Sequence, residues 1–258
     1  MRAISIDREV FARAAENRAP NGGTGIGTLG EKTLHACLKR YFAHPEGAFE
    51  VPVGRYVADV LKKDEVIEIQ TGGCAVLAPK LRALLKEYRV TLVLPVMRQK
   101  RLCWIDPETG EATKSRKSPK VGQIGDVLPE LLYLDEFLDH PRFTLLIFLY
   151  DGCEYRLRDG WGTEGKRGAH RAERIPERPV GLWALDASAD LGALLPEGLS
   201  ERFTAREFSK RARFQGIRLW AALKLLVAHK ILTRKKEGRS YLYSVLEGEN
   251  TCTNVKES

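Results

Sequence analysis

A helix, three consecutive strands, a second helix and a fourth strand follow one another early in the sequence, and this order constrains the fold more than any other feature. Apolar residues recur every three to four positions in the helical segments and alternate or run together in the strands. The segments are a helix at about 29–43, strands at 48–54, 55–62 and 65–71, a helix at about 76–88 and a strand at 90–96. The fully apolar last strand is typical of a sheet covered on both faces. The pattern predicts an α/β core.

Two carboxylates are predicted to face each other in the hairpin formed by the second and third strands. With a turn at Lys63-Asp64, the numbers of paired residues add up to 127, so Asp59 lies opposite Glu68. Like charges directly opposite each other destabilise a ladder, whereas a bound divalent cation turns their repulsion into coordination. The alternative is a surface hairpin with a solvated polar face. We treat the pair as a candidate metal site.

Glu31 is a candidate third ligand at the start of the first helix. It lies three residues before Leu34 and therefore shares the helix face that is expected to pack on the sheet. Thr28 and Glu31 also match a capping box, in which the acid stabilises the helix start. The two roles are compatible.

Glu31, Asp59 and Glu68-Ile69-Gln70, in this order on a helix and consecutive strands, resemble the PD-(D/E)xK superfamily. The resemblance covers about residues 25–97 and implies a restriction-endonuclease-like α/β core. It also implies that Asp59 and Glu68, with Glu31, bind Mg²⁺, or Mn²⁺ in its place, to hydrolyse phosphodiester bonds.

The resemblance departs from the usual motif at Gln70. In that superfamily the last motif residue is usually a lysine that positions or activates the attacking water, although some members carry glutamine. Lys80, on the next predicted helix, is a candidate for the missing ammonium group. Alternatively, Lys80 is a solvated helix residue.

Residues 200–246 form a separate basic segment, with twelve Lys and Arg against three Glu, a net charge of +9 in a chain of net charge +8. A basic surplus confined to one small segment is typical of a phosphate-binding module. The predicted elements are a helix at about 204–212 opened by a capping box, a turn at 213–216, a helix at about 217–229, and strands at 231–236 and 239–245 around Glu237-Gly238. This order predicts a winged helix-turn-helix whose second helix is the recognition helix.

The basic residues expected to contact DNA lie in the turn, on the recognition helix and on the hairpin: Arg213, Arg218, Lys224, Arg234, Lys235, Lys236 and Arg239. A solvated basic face is the simpler alternative. A module that binds another protein is a third interpretation, which the local charge disfavours. Salt-dependent binding would favour DNA.

The predicted domain organisation is a nuclease-like domain over 1–180, a linker over 181–199, the winged helix over 200–246 and a disordered tail over 247–258. Within the first domain, the core covers 25–97 and an extension covers 98–180. Residues 160–179 are basic and Gly-rich and are predicted to form a loop.

Several other functions are disfavoured by the sequence. The chain lacks an apolar run near the roughly 18 residues that span a bilayer, and it begins without a signal-like segment, so no membrane association is expected. Five cysteines without zinc-site spacing indicate reduced thiols and a cytoplasmic protein. Gly25–Gly30 matches a dinucleotide-binding pattern but lacks the strand that must precede it. The five histidines show no triad or metal spacing and are expected on the surface or in the core.

The sequence therefore predicts a Mg²⁺-dependent endonuclease whose winged helix holds duplex DNA. The alternative, favoured by Gln70, is a non-catalytic DNA-binding regulator with a degenerate nuclease-like domain. Cutting both strands of a duplex with one site per chain would favour a homodimer.

Overall fold

A mixed sheet with helices on both faces organises the chain, whose computed structural model describes residues 1–16, 33–106, 108–157 and 170–246. The strands of this sheet are β1 (Arg2–Ile4), β2 (Ala48–Val53), β3 (Tyr56–Lys62), β4 (Glu65–Ile69), β5 (Arg89–Ile105), β6 (Arg116–Val121), β7 (Phe143–Leu157) and β8 (His170–Leu185). Their order is β1-β8-β7-β5-β4-β3-β2, with β6 paired to β5. The helices are α1 (Arg8–Glu16), α2 (Thr33–Ala43), α3 (Ala78–Leu84) and the short α4 (Leu128–Leu131). The predicted α/β class is confirmed.

The predicted order of elements is found as α2-β2-β3-β4-α3-β5. Strands β2, β3 and β4 form an antiparallel meander, and β5 returns parallel to β4 after α3. The β3–β4 ladder pairs Val60 with Ile67 and Lys62 with Glu65, which confirms the predicted register. The turn at Lys63 adopts a positive φ of 50°, as a tight hairpin turn requires.

The central strands β5 and β7 are apolar over residues 92–97 and 145–149, because both faces of the sheet are covered there. Leu92 and Leu94 of β5 pack with Leu81 of α3, whereas Val93 packs with Leu38 of α2. Successive strand residues point to opposite faces, so the unbroken apolar run fills both layers of the core.

Two predictions in the extension and linker were wrong. Residues 170–179, predicted as a loop, belong to β8. The pairing with β7 shifts register between Leu149 and Tyr150, between Asp151 and Gly152, and between Tyr155 and Arg156, which interrupts the alternation by which a strand is recognised. The predicted linker begins inside β8 and continues into a 3₁₀ segment (Ser188–Leu194). Leu191 and Leu194 of that segment are buried in the core.

The C-terminal module, residues 200–246, contains β9 (Arg202–Thr204), α5 (Ala205–Ala212), α6 (Gly216–Ala228), β10 (Leu232–Glu237) and β11 (Ser240–Val245). Its strands have the order β10-β11-β9, and β9 was not predicted. The capping box at Thr204 and Glu207 is confirmed. The hairpin turn is Gly238-Arg239, one residue later than predicted, because Glu237 pairs with Ser240 and Gly238 supplies a φ of 60°.

The C-terminal module shares a hydrophobic core with the α/β domain. Phe214 and Leu226 belong to the same buried cluster as Leu128 and Leu131 of α4. At the rim of this contact, His229 Nε2 lies 2.5 Å from Asp135 Oδ1. The module is therefore fixed against the sheet domain.

Four predicted features lie outside the described residues: Glu31, the glycine-rich segment before it, residues 160–169 at the start of the predicted loop, and the tail 247–258. Within the described part of the chain, we find no helix with the length and hydrophobicity needed to cross a bilayer.

Candidate active site

Asp59 and Glu68 meet where strands β3 and β4 begin to separate. The Asp59 amide donates to Glu68 Oε1 over 3.3 Å, and the Ile69 amide donates to Asp59 Oδ2 over 2.8 Å. Glu68 is only 4% exposed, while Asp59 is partly buried. The hairpin thus holds two carboxylates side by side at a largely buried position, as the register predicted.

His35 joins this pair from helix α2. Its Nε2 lies 3.1 Å from Asp59 Oδ2. An ionised carboxylate can only accept a hydrogen bond, so this arrangement places the proton on Nε2. His35 was expected to have a surface or core role, and its contact with Asp59 was not predicted. The available signal was its spacing, since it follows Glu31 by four residues and therefore shares the predicted helix face of that residue.

Lys80 reaches the pair from the opposite side, on helix α3. Its Nζ lies 2.5 Å from Glu68 Oε2. The loop that leads into α3 is held by Glu130, whose Oε2 accepts a hydrogen bond from the Cys74 amide over 3.1 Å. Of the two alternatives for Lys80, the structure has the one in which its ammonium group lies at the carboxylates.

The pKa values of the two acids move in opposite directions. Burial would raise the pKa of Asp59, but hydrogen bonds from His35 and the Ile69 amide, with the charge of Lys80, outweigh it and hold that pKa below its ordinary value. Burial and the charge of Asp59 raise the pKa of Glu68, although Lys80 opposes them. The residual repulsion is the kind that a cation between the two acids would relieve.

Gln70 lies two residues after Glu68, but its side-chain amide is turned towards the following loop. Its Nε2 donates to the Gly73 carbonyl over 2.6 Å. Its backbone amide donates to Val93 O over 3.0 Å and continues the contact with β5. In this conformation Gln70 stabilises the β4–α3 loop.

The carboxylates of Asp59 and Glu68 match the chemistry of a hard divalent cation. Mg²⁺ prefers oxygen ligands and is usually held by one or two carboxylates together with substrate phosphates and water. Within the described residues, no group of three or more His, Cys, Asp and Glu side chains is arranged as a metal site. Glu31, the predicted third ligand, lies outside those residues. The donors present thus suit a Mg²⁺ ion shared with substrate.

The seven basic residues predicted to contact DNA fall into two groups. The first faces the α/β domain: Arg213 donates to the Val121 carbonyl, and Arg218 donates to the Asp126 carbonyl over 3.3 Å. The second group is exposed on α6 and the hairpin and comprises Lys224, Arg234, Lys235, Lys236 and Arg239.

Two cations of the exposed group lie over exposed aromatic rings. Lys224 Nζ is 4.8 Å from the centre of the Trp220 ring, and the Arg234 guanidinium carbon is 4.5 Å from that of Tyr241. The outer face of the module therefore combines positive charge with aromatic surface.

Comparison with known proteins gives two matches. The model of a family described as "Domain of unknown function (DUF8091)" matches residues 32–183. An uncharacterized protein of Treponema pallidum (strain Nichols) is 29% identical over 224 residues, which cover 84% of this chain and 86% of that protein. No solved structure matches significantly. The family match spans His35, Asp59, Glu68 and Lys80 and ends before the C-terminal module.

Proposed function

The chain belongs to the DUF8091 family, and we propose that it is a metal-dependent nuclease that hydrolyses DNA phosphodiester bonds. The observation that carries this proposal is the convergence of Asp59, Glu68 and Lys80 at one end of the β3–β4 hairpin. Two acids and a lysine beside them supply the groups that metal-assisted phosphodiester hydrolysis needs.

The arrangement of elements supports a restriction-endonuclease-like core. An antiparallel meander that carries the acids, a crossover helix that carries the lysine, and a parallel strand after it are what the PD-(D/E)xK resemblance implies. Asp59, Glu68 and Gln70 occupy the motif positions, and Lys80 supplies from α3 the ammonium group that Gln70 lacks.

In the proposed reaction, Asp59 and Glu68 would hold Mg²⁺. Bound Mg²⁺ would polarise the phosphoryl oxygen and lower the pKa of the attacking water. His35 keeps Asp59 ionised and oriented, since its Nε2 proton is bonded to Oδ2. Lys80 stabilises the negative charge that develops on the phosphate. Gln70 is available to orient water once its amide leaves the Gly73 carbonyl.

We also propose that the C-terminal module is a winged helix that holds duplex DNA. Two helices followed by a basic hairpin, with a third short strand closing the sheet, match the order of elements in such modules. Its net charge of +9 is concentrated in 47 residues, which suits binding to a phosphate backbone.

Cleavage of plasmid DNA in the presence of Mg²⁺ or Mn²⁺ tests the nuclease proposal. The wild type should cut, while Asp59→Asn and Glu68→Gln should not and should still bind DNA in EDTA. Asp64→Asn is the matched control, since Asp64 lies in the same hairpin but is exposed and paired with Arg89. Equal cleavage by the wild type and Asp59→Asn would contradict the proposal.

A second candidate function is a non-catalytic DNA-binding regulator. The hydrogen bond from Gln70 to Gly73 favours it, because a motif residue that braces a loop is not poised at the carboxylates. DNA binding without cleavage in either metal would support this candidate.

A further inference from the structure

A cavity of about 420 Å³ lies beside the candidate active site, between the sheet and the C-terminal module. One wall is Gln70-Thr71-Gly72, which directly follows the strand that carries Glu68. The opposite wall includes Arg213 and Phe214, from the segment between α5 and α6. The cavity thus connects the end of the catalytic hairpin with the module proposed to hold DNA.

The walls of the cavity are strongly basic. Two acids, Asp126 and Glu130, line it, and the Glu130 carboxylate is already bonded to the Cys74 amide. Five cations line it: Lys100, Lys120, Arg174, Arg213 and Arg218. They come from four separate parts of the chain, so their convergence results from the tertiary fold.

The positive charge behind the cavity is only partly neutralised. Glu154, which is 1% exposed, pairs with Lys100 and with Arg156 at 2.7 Å each, while Arg174 Nε lies 3.8 Å from it. Three bases therefore share one buried carboxylate. A group of like charges of this kind favours binding of an anion.

Arg174 also presents a hydrogen-bond donor that is left unused. Its Nε is buried and has no hydrogen-bond partner among the described residues. A buried donor without a partner costs free energy, and a phosphate oxygen is a strong acceptor for a guanidinium group. Lys120, in contrast, is exposed at the rim and can follow a ligand as it enters.

We propose that this cavity binds a backbone phosphate of the DNA strand, on the side of the active site that faces the C-terminal module. The inference rests on the proposed function, since it names a second contact of the same substrate. Arg174 and Lys100 bind the phosphate from the sheet, Lys120 from β6, and Arg213 and Arg218 from the module. The cavity volume is sufficient for one nucleotide unit.

Metal-free DNA binding tests the phosphate site without requiring catalysis. The full chain is titrated with a labelled duplex in EDTA at several salt concentrations, and the slope of log K against log salt is measured. Each lost phosphate contact should reduce the slope by about 0.9. Lys120→Gln and Arg174→Gln should each show part of this loss, because both residues contact the same phosphate. Lys86→Gln, an exposed lysine just after α3 and away from the cavity, is the control and should keep the wild-type slope.

Lys120→Gln should fold normally, because the exposed Lys120 side chain is not part of the core, so its result does not depend on the folding of Arg174→Gln. Wild-type slopes in both cavity variants, or no salt-dependent DNA binding by the wild type, would overturn the phosphate site. Cleavage with Mg²⁺ is measured separately. If the slopes fall as expected but no DNA is cut, the phosphate site stands and the nuclease proposal fails. If DNA is cut but the slopes are unchanged, the nuclease proposal stands and the phosphate site fails.

Discussion

The ammonium group of Lys80 lies 2.5 Å from Oε2 of Glu68, although the two residues belong to a helix and to the strand before it. The contact sets a cation against a buried carboxylate that Asp59 repels from the other side. Because α3 is short and begins after a loop braced by Glu130, the position of Lys80 depends on that loop. The carboxylates and the lysine therefore form one unit.

Replacing Lys80 tests whether this cation acts in catalysis. Lys80→Met is expected to lower kcat by about 100- to 1,000-fold, as is typical when one group that stabilises transition-state charge is removed. Lys80→Arg should retain more activity because it keeps the charge. Single-turnover cleavage in Mg²⁺ measures the rate of both variants. Lys86→Met, at an exposed position just after α3, is the control. A wild-type rate for Lys80→Met would exclude the role.

Replacing His35 should change the pH dependence of cleavage. The hydrogen bond from His35 lowers the pKa of Asp59, so His35→Phe should raise that pKa. In the proposed reaction, cleavage requires ionised Asp59 and should be lost as the pH falls through this pKa. The acidic limb of the kcat/KM profile should consequently move to higher pH. His44→Phe, at an exposed position after α2, should leave the profile unchanged; an unshifted limb in His35→Phe would contradict the positioning role.

Asp151 should contribute measurably to stability at neutral pH. Burial opposes its ionisation, but hydrogen bonds from Arg98 and Arg178 and from the Gln99 amide lower its pKa to about 2. A lowered pKa adds stability above the unfolded-state pKa of about 4, and this stability is lost as the pH falls towards the folded-state value.

Allowing for solvent screening, Asp151→Asn should lower the free energy of unfolding by about 1–2 kcal/mol at pH 7. The difference from the wild type should shrink between about pH 4 and pH 2. Urea denaturation at each pH measures it. The exposed pair of Asp64 and Arg89 provides the comparison, and Asp64→Asn should lower the free energy of unfolding less than Asp151→Asn does. A pH-independent loss in Asp151→Asn would refute the ionic explanation.

Trp220 should matter more for unpaired than for paired DNA. Its side chain is 55% exposed on α6, next to Ile217, which is 73% exposed. This surface suits stacking on bases better than reading their edges, which needs polar groups. Trp220→Ala should weaken binding to a duplex with an unpaired arm by about 5- to 100-fold and affect a blunt duplex little.

Fluorescence anisotropy with the two DNAs measures the effect of Trp220→Ala. Tyr133→Ala removes an aromatic ring of similar exposure outside the C-terminal module and should change neither affinity. Equal losses on both DNAs would indicate that Trp220 does not stack on unpaired bases.

Local patterns were sufficient to predict the hairpin and the proximity of its two carboxylates. The turn at Lys63-Asp64 and the alternation of Val60 and Ile67 fix the register, and the register alone brings Asp59 to Glu68. The proximity of Lys80 followed from its place on the next helix. The residues in these contacts are close together in the sequence, so the short chain between them permits few other arrangements.

Contacts between distant segments were not predictable in the same way. Residues 170–179 lie in a strand because β7 pairs with them, and their own composition resembles a loop. The contacts of Arg213 and Arg218 with the backbone carbonyls of Val121 and Asp126, across the domain contact, were likewise not predicted. His35 was missed because its partner, Asp59, is on another element.

Phe214, Leu226 and Leu128 belong to one shared core, which fixes the distance between the C-terminal module and the candidate active site. A DNA-binding module on a flexible tether would let the cutting centre sample many positions along a bound duplex. Here the packing sets one span between the hairpin turn at Arg239 and the carboxylate of Asp59. If both ends engage DNA as proposed, the cuts should fall at a single offset from the bound segment, and mapping the cleaved ends should show one sharp position instead of a spread.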